Sequence, residues 1–396
     1  MTKREIKKDW IFVSIAYIII LSMIINATPL WFFGSLRRIP IWLSFFALVF
    51  YRGHVIIKNR YIFPIITFIL LVLLTYFIRM STESSVSPTI IVNWILPLLL
   101  YAATKKEEWA FYKPLGYILI AVFLLNCLMS YYERLSFSYI LNYNAPWVGK
   151  LYKETASIGE SYYQDILLFR PMALFGHPLT NVNLMSFMTF SVYFSNYFTK
   201  SIRFIFLMMG VLALVSFNSR GALIIFLVLL LILSISYLFD RKAPIFPKIL
   251  LCLFFTYFIG WIINNFEIIG GRFVASTLDD DSSQVRLDAI NYFFSLSFEE
   301  LLLGGVKLKY GENGVLMLIE ESGLIFGSLF VFLHIFFSWI ILKYCNSIAK
   351  ILIFSGFFIV SCSNNNLSNP LVFSIYLLFI MCVNNSNVPF KYLKKC

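Results

Sequence analysis

Residues 169–180 read FRPMALFGHPLT, and the rest of the chain is organised around this stretch. Arg170 carries a permanent positive charge on a planar fork of donors that suits phosphate, whereas His177 titrates near neutral pH. Two prolines fix φ locally, and Gly176 allows the backbone to approach a ligand closely. The stretch is therefore either a ligand site or a Pro- and Gly-rich loop that precedes a helix. Its position among the neighbouring segments helps to decide between these two interpretations.

Apolar runs flank this stretch on both sides, and they recur along the whole chain of 396 residues. The chain is 60% hydrophobic and 13% charged, with a mean hydropathy of +0.82. Average soluble proteins carry about 25% charged residues. Runs of roughly 17–25 apolar residues satisfy their backbone groups in lipid only as helices. The composition excludes a soluble globular protein and predicts an all-α polytopic membrane protein that forms one membrane domain over residues 1–396.

The apolar runs predict about twelve membrane spans. They cover residues 11–26, 39–51, 61–78, 88–103, 114–132, 178–198, 204–218, 221–239, 248–263, 314–342, 350–362 and 370–385. No convincing small-residue cleavage site follows the first run, so we expect a retained span and not a signal peptide. Two long connections separate the spans, the first over residues 133–177 and the second over residues 264–313.

Lys and Arg residues are distributed unequally between the two sides of this predicted bundle. If successive spans alternate in direction, 20 of the 32 basic residues fall on the side of both termini and 12 on the other side. The positive-inside rule then puts both termini in the cytoplasm and both long connections on the outer face. The same residues explain the net charge of +12, so no nucleic acid is expected as a partner.

Candidate anion-binding residues converge on that outer face. Arg170 and His177 end the first long connection, Arg220 lies between two spans in SFNSRGAL, and Arg286 lies in the second long connection. Arginine binds phosphate through two parallel hydrogen bonds, so the set suits an anionic ligand. The alternatives are that Arg220 snorkels to lipid head groups and that Arg286 pairs with a nearby aspartate on the surface.

The middle of the second connection, TLDDDSSQVRLDAINYFF at residues 277–294, predicts an amphipathic helix. Ser282 and Ser283 are its candidate N-caps. Its apolar face is formed by four residues: Val285, Ala289, Tyr292 and Phe293. Such a helix either lies flat on the bilayer or covers a cavity.

A cluster of ionisable residues accompanies the start of the tenth apolar run. Glu312 is expected at the outer mouth of the bundle, where a carboxylate can take a proton from a hydroxyl group. Asn313 and Glu320 are seven residues apart and so lie on nearly the same face of a helix. Gly323 and Gly327 have the spacing that lets another helix approach closely. The alternative is that the glutamates within the run bind arginines of adjacent spans and hold the bundle together.

No metal or cofactor is expected. The six cysteines lie in or beside apolar segments or at the C-terminus, without the spacing of metal ligands. No acidic pair stands in a context typical of a bound metal. Phosphate loops and dinucleotide-binding fingerprints are also missing from the sequence.

Four pieces of the sequence together resemble the O-antigen ligase/polymerase superfamily of bacterial surface-polysaccharide enzymes. In chain order they are Arg170-Pro171 with Gly176-His177-Pro178, then Ser219-Arg220-Gly221, then Arg286, then GG…ENGVLMLIEESGLIFG. They extend over residues 170–327, about 40% of the chain, and their order, spacing and common side carry the resemblance. Ligases of this superfamily show His-Asn where this chain has Glu312-Asn313. That departure favours a polymerase and leaves the general base open.

The resemblance implies a membrane glycosyltransferase with a GT-C-like bundle of about twelve transmembrane helices and short amphipathic helices in its two large outer loops. Three arginines would bind the substrate diphosphate: Arg170, Arg220 and Arg286. The catalytic set would comprise Glu312 as the first candidate for the general base, His177 as the second, and Arg286. Asn313 and Glu320 would support the site, without a metal.

The function that the resemblance implies is that of an O-antigen or surface polysaccharide polymerase in the bacterial inner membrane. It would transfer the growing glycan from undecaprenyl diphosphate onto a new lipid-linked repeat unit at the periplasmic face. Its partners would be the undecaprenyl-diphosphate-linked oligosaccharide, membrane lipids and a chain-length regulator protein. Three alternatives are open: an O-antigen ligase acting on lipid A-core or another acceptor, a flippase or transporter for the lipid-linked oligosaccharide, and a non-enzymatic assembly partner.

Overall fold

The computed structural model describes a bundle of helices. The described residues are 3–28, 36, 38–82, 88–104, 112–136, 138–141, 170–217, 219–239, 245, 248–249, 256, 260, 281–305, 314–363, 367 and 369–384. They are nearly all helical, and no strand occurs among them. The prediction of an all-α protein is confirmed for this part of the chain.

The helices are numbered in chain order. The first six are α1 (Lys3–Ala27), α2 (Ile39–Ile57), α3 (Ile62–Thr82), α4 (Thr89–Ala103), α5 (Tyr112–Ser136) and α6 (Pro178–Tyr193). The others are α7 (Lys200–Ser216), α8 (Arg220–Phe239), α9 (Asp281–Ser295), α10 (Phe298–Leu303), α11 (Gly314–Ile341), α12 (Ser347–Ser363) and α13 (Pro370–Phe379). A 3₁₀ turn (Leu342–Tyr344) extends α11, and a π-helical turn (Ile380–Asn384) extends α13.

Five segments within these helices are long and apolar enough to cross a membrane. They are Trp10–Ala27, Ile39–Ile57, Tyr112–Ser136, Gly221–Phe239 and Gly314–Tyr344. Shorter apolar helices occupy Ile62–Ile78, Ile91–Ala103, Ser347–Cys362 and Pro370–Asn384. Every one of these segments overlaps a predicted apolar run, whereas the run predicted at residues 248–263 lies largely outside the described residues. The total of twelve spans stays a prediction.

Large apolar side chains cover the outside of these helices. The exposed fraction is 85% for Phe50, 79% for Phe63 and 82% for Phe239. Contiguous apolar surface of this kind is unfavourable in water and favourable against lipid. The exposed side chains therefore agree with the length and composition of the apolar helices in indicating a membrane protein.

The helix α6 forms the centre of the bundle, and all of its side chains over residues 181–192 are buried. Many of them are polar, and their hydrogen bonds stay within the bundle. Ser186 Oγ donates to the carbonyl oxygen of Val182 at 2.7 Å, and Asn183 Nδ2 donates to Ser361 Oγ of α12 at 2.6 Å. Buried polar groups are tolerated when they are hydrogen-bonded. This bonding explains how a helix with many polar residues occupies the core.

The helices α3 and α11 run antiparallel. The rings of Tyr61 and Phe336 are 6.1 Å apart at one end of the pair, and Thr75 Oγ1 lies 3.3 Å from Ser322 Oγ towards the other. The end of the bundle at which Thr75 and Ser322 lie is called the upper end below. The charge pattern predicts that the upper end is the outer face.

The start of α6 also lies at the upper end. The helix α11 runs from the upper to the lower end, and α12 runs back to the upper end. Ser361, near the end of α12, accepts a hydrogen bond from Asn183, near the start of α6. The end of α5 lies there as well, because Glu133 binds the backbone of Met172 just before α6. The helix α5 continues to Ser136, so Glu133 belongs to the helix and not to the first long connection as predicted.

The predicted amphipathic helix in the second connection is confirmed as α9. Its described part covers Asp281–Ser295, so Ser282 and Ser283 lie within the helix, and the prediction that one of them is the N-cap is wrong.

Candidate functional site

Residues 170–177 form a tight turn at the upper end and lead the chain into α6. The φ angle is 41° at Ala173 and 67° at Gly176, and the N–H group of Gly176 donates to the carbonyl oxygen of Met172 at 2.9 Å. Glycine adopts a positive φ readily, whereas for alanine it costs roughly 1–2 kcal/mol. A conformation of this kind persists only where the surrounding structure holds it.

Glu133 of α5 holds this turn through the backbone. Its Oε2 atom accepts hydrogen bonds from the N–H groups of Met172 at 2.7 Å and Ala173 at 2.9 Å, and its Oε1 atom accepts one from Ile140 at 3.1 Å. The Glu133 side chain is completely buried. Successive N–H groups in such a turn form a concavity that binds anions. A carboxylate of the same chain occupies that concavity and ties the turn to α5.

Two buried asparagines hold the turn from other directions. Asn126 of α5 accepts a hydrogen bond on Oδ1 from the N–H group of Leu174 at 3.0 Å. Asn181 of α6 donates from Nδ2 to the carbonyl oxygen of Met172 at 2.6 Å and to that of His177 at 2.9 Å. We call Glu133 and the two asparagines the clamp. The clamp fixes the turn between α5 and α6.

The turn brings Arg170 and His177 close enough to interact electrostatically. Both side chains are half-buried. Burial lowers the pKa of His177 below its ordinary value of 6.5, and the positive charge of Arg170 lowers that pKa further. At neutral pH His177 is therefore an uncharged imidazole beside a permanent cation. Such a pair can bind an anion and accept a proton.

The protonation of His177 provides a testable pH dependence. Diethyl pyrocarbonate acylates only the neutral imidazole, so its reaction with His177 in the wild type is expected to have its midpoint below pH 6.5. In Arg170→Gln the midpoint should move to higher pH, yet remain below 6.5, because burial persists when the charge is removed. Mass spectrometry of peptides labelled between pH 4 and 8 measures both midpoints, with the exposed His54 as internal reference. Equal midpoints in both proteins would contradict the assignment.

The other candidate arginines are described by their backbone alone. Arg220 is the first residue of α8. Because α7 packs against α6 and runs towards the upper end, α8 begins at that end. Arg286 lies in α9, which packs against α11. Glu312 and Asn313 lie outside the described residues. Of the predicted site residues, the structure thus brings Arg170 and His177 together.

Glu320 lies in α11 shortly before a break in that helix. The backbone of Gly323 has φ 73° and ψ 167°, and a Cβ atom there would clash with the carbonyl oxygen of Leu302 at the end of α10. The predicted close approach of another helix is therefore confirmed at Gly323. At Gly327 the three atoms nearest to such a Cβ belong to Leu318 of α11 itself.

The position of the break along α11 locates Glu320 relative to the membrane. Residues 324–341 follow the break as continuous helix and extend over about 27 Å at 1.5 Å per residue. That length is close to the ~30 Å of the hydrocarbon core. If residues 324–341 alone cross the hydrocarbon core, the break lies at the upper boundary of that core, away from its middle. Glu320 is only 1% exposed, so a carboxyl group is buried shortly before the break.

The clamp residues were not among the residues singled out from the sequence. Asn126 and Glu133 were assigned to an apolar span and to the start of a loop, and Asn181 to a helix start. A usable signal was present, because polar and ionisable residues within a membrane helix are usually paired or functional. Asn126 interrupts the apolar run FLLNCLM, and Glu133 follows seven residues later, on nearly the same face of α5.

Within the described parts of the chain, no group of three or more His, Cys, Asp and Glu side chains could hold a metal ion. The polar groups at the turn suit an organic anion through Arg170 and the transfer of a proton through His177.

Comparison of the chain with models of known protein families found no match, and comparison with curated proteins found none either. Membership of the O-antigen ligase/polymerase superfamily therefore stays a prediction based on the residues that carry the resemblance.

Proposed function

We propose that the chain is a repeat-unit polymerase for a bacterial surface polysaccharide. A hydroxyl group of a new lipid-linked repeat unit attacks the anomeric carbon of the growing glycan. The bond from that carbon to the diphosphate oxygen breaks, undecaprenyl diphosphate leaves as an anion, and the hydroxyl proton passes to a base. The reaction requires positive charge where the anion develops and a neutral proton acceptor near the attacking hydroxyl.

The observation that carries this proposal is the turn at the start of α6. It presents a permanent cation, Arg170, and a neutral imidazole, His177, from one short segment that the clamp holds in place. A rigid support favours catalysis because the site does not have to reorganise during the reaction. The upper end, where the turn lies, is the predicted outer face. A lipid-anchored diphosphate would be within reach of a site at that level.

His177 and Glu312 remain the two candidates for the general base. His177 is supported by its lowered pKa, since a base must be unprotonated at the working pH. Glu312 belongs to the block that carries the resemblance, although it lies outside the described residues. Arg170 and His177 together supply a cation and a proton acceptor without the carboxylate of Glu312. We therefore favour His177 as the proton acceptor, with Glu312 as its rival.

A flippase for the same lipid-linked sugar is the alternative that a specific feature favours, because broken helices with buried charges are typical of transporters. In those proteins the break lies near the middle of the membrane. In α11 about 27 Å of continuous helix follows the break, and a core crossed by that helix would leave Glu320 near the membrane boundary instead. The position of the break therefore supports a surface reaction more than transport.

A deletion strain distinguishes these functions, with the same strain complemented by the wild-type gene as the control. Loss of a polymerase should leave surface glycan of a single repeat unit, and loss of a ligase should leave no glycan attached. Loss of a flippase should leave single repeat units on undecaprenyl diphosphate inside the cell. Gel electrophoresis of the glycan separates the first two, and mass spectrometry of the lipid fraction identifies the third. Normal chain-length ladders in the deletion strain would overturn the proposal.

A further inference from the structure

The helix α9 has three sides that differ in exposure. Ala289 is 2% exposed, and Tyr292 and Phe293 are half-buried, so this side faces the protein, where α9 packs against α11. Ala289, Tyr292 and Phe293 of the predicted apolar face are therefore used for packing. On a second side the polar residues Asn291 and Ser295 are exposed. At about 100° per residue, these two sides leave a third side of the helix between them.

The third side of α9 is apolar and exposed. The exposed fraction is 54% for Leu287, 41% for Ile290 and 78% for Phe294. Residues at spacings of three and four lie in one stripe along a helix. Single exposed apolar residues are ordinary, whereas a contiguous stripe marks an interaction surface. We call these three residues the apolar stripe.

The short helix α10 connects this region to the membrane span α11. Its start is fixed by a capping box, in which the N–H group of Glu300 donates to Ser297 Oγ at 3.3 Å and the N–H group of Ser297 donates to Glu300 Oε2 at 2.8 Å. Its end is fixed by close contact between the backbones of Gly304 and Gly323, at the break in α11. The orientation of α10 on α11 is thus set at both ends.

This contact puts exposed apolar residues of the two helices side by side. Leu303, at the end of α10, is 59% exposed, and Leu324 and Ile325, just after the break, are 50% and 53% exposed. The latter two begin the exposed apolar surface of a segment long and apolar enough to span a membrane. Exposed apolar surface at the end of the second connection therefore adjoins the exposed apolar surface of α11.

We propose that the apolar stripe of α9 rests among lipid acyl chains at the upper face of the bilayer, with Asn291 and Ser295 in water. A helix with one apolar side, one polar side and a position at the end of a membrane span has the properties of an interfacial helix. Phospholipid is the occupant that fits an apolar stripe on a helix packed against a span that is itself apolar and exposed. The second long connection is thereby held against the membrane beside the broken helix. This inference is independent of the enzymatic function.

The depth of α9 can be measured in the full-length protein in nanodiscs of phosphatidylethanolamine and phosphatidylglycerol. A ketone-reactive spin label is attached to p-acetylphenylalanine at position 287, 290, 294 or, as the matched control, 291. We expect collisions with oxygen to exceed those with a water-soluble nickel complex at the three stripe positions, and the reverse at position 291. Nickel collisions at the stripe equal to those at position 291 would place it in water and overturn the proposal. Low collisions with both reagents would show a protein occupant, which would also overturn it.

A photo-crosslinker gives a second measurement that tolerates a local change in α9. p-Benzoylphenylalanine replaces Phe294 or Asn291, and irradiation in the same nanodiscs precedes mass spectrometry of the intact protein. Phospholipid adducts are expected to be several-fold more abundant from position 294 than from position 291. Equal yields from the two positions would refute the interfacial location.

Discussion

Arg170→Ala is expected to lower the rate of glycan polymerisation by about 10²–10³-fold, the usual effect of removing one donor to a developing anion. The sugar–diphosphate bond gains negative charge on its oxygen as it breaks, and the guanidinium group stabilises that charge most in the transition state. The loss should therefore fall mainly on kcat. Initial rates with purified protein and lipid-linked repeat units in nanodiscs measure it. Alanine at Arg220 or Arg286 is expected to leave cells with single-repeat glycan as well.

Two further variants make the Arg170 result specific. Arg170→Lys keeps the charge and loses the planar fork of donors, so an intermediate rate is expected. Arg60→Ala removes an exposed arginine that lies 4.5 Å from the ring of Tyr61 at the lower end, and it should polymerise normally. Wild-type ladders from Arg170→Ala, Arg220→Ala and Arg286→Ala together would end the proposal of a diphosphate site.

Glu133→Ala is expected to cause the largest loss of stability among substitutions at the turn. Two buried N–H groups, those of Met172 and Ala173, would lose their acceptor, as would the N–H group of the exposed Ile140. Each unsatisfied buried donor costs about 1–3 kcal/mol. Glu133→Gln keeps an oxygen acceptor and turns an NH₂ group towards the remaining donors, so it should destabilise less. Thermal unfolding followed by fluorescence-detected gel filtration measures the Tm of each protein. The expected Tm falls from the wild type to Glu133→Gln and further to Glu133→Ala.

The rate of polymerisation should fall in Glu133→Gln even at temperatures where the variant is fully folded. Release of the turn changes the positions of Arg170 and His177 together. The loss of rate should therefore be larger than any unfolding of the variant can explain. The matched control is Glu299→Gln, which changes an exposed carboxylate on α10 and should preserve both stability and rate. A Glu133→Gln protein with wild-type Tm and rate would show that the clamp does not position the site.

Several features of this protein could be predicted from local sequence. Apolar runs of membrane-spanning length identify helices because the bilayer leaves backbone groups no partner other than the helix itself. The helix α9 was recognisable because its periodicity lies within fifteen residues. Arg170 and His177 were found because both lie in one Pro- and Gly-rich segment. In each case the determining interactions are short in sequence or are made with lipid.

The clamp and the break in α11 were decided by tertiary structure. Glu133 binds the backbone of a residue 39 positions further along the chain, and no local pattern pairs a carboxylate with N–H groups at that separation. The sequence shows the glycine at position 323. The break depends on the backbone of Leu302, which packs closely against Gly323 in the folded protein.

The amino-acid sequence by itself therefore determined the all-α class, the positions of the apolar helices and the presence of an arginine and a histidine in one segment. Only the packing of α5, α6, α10 and α11 decided how that segment is held and which surfaces of the second connection remain exposed. The physical reason is that hydrophobic periodicity acts along the chain, whereas buried hydrogen bonds and backbone contacts form between segments that meet only after folding.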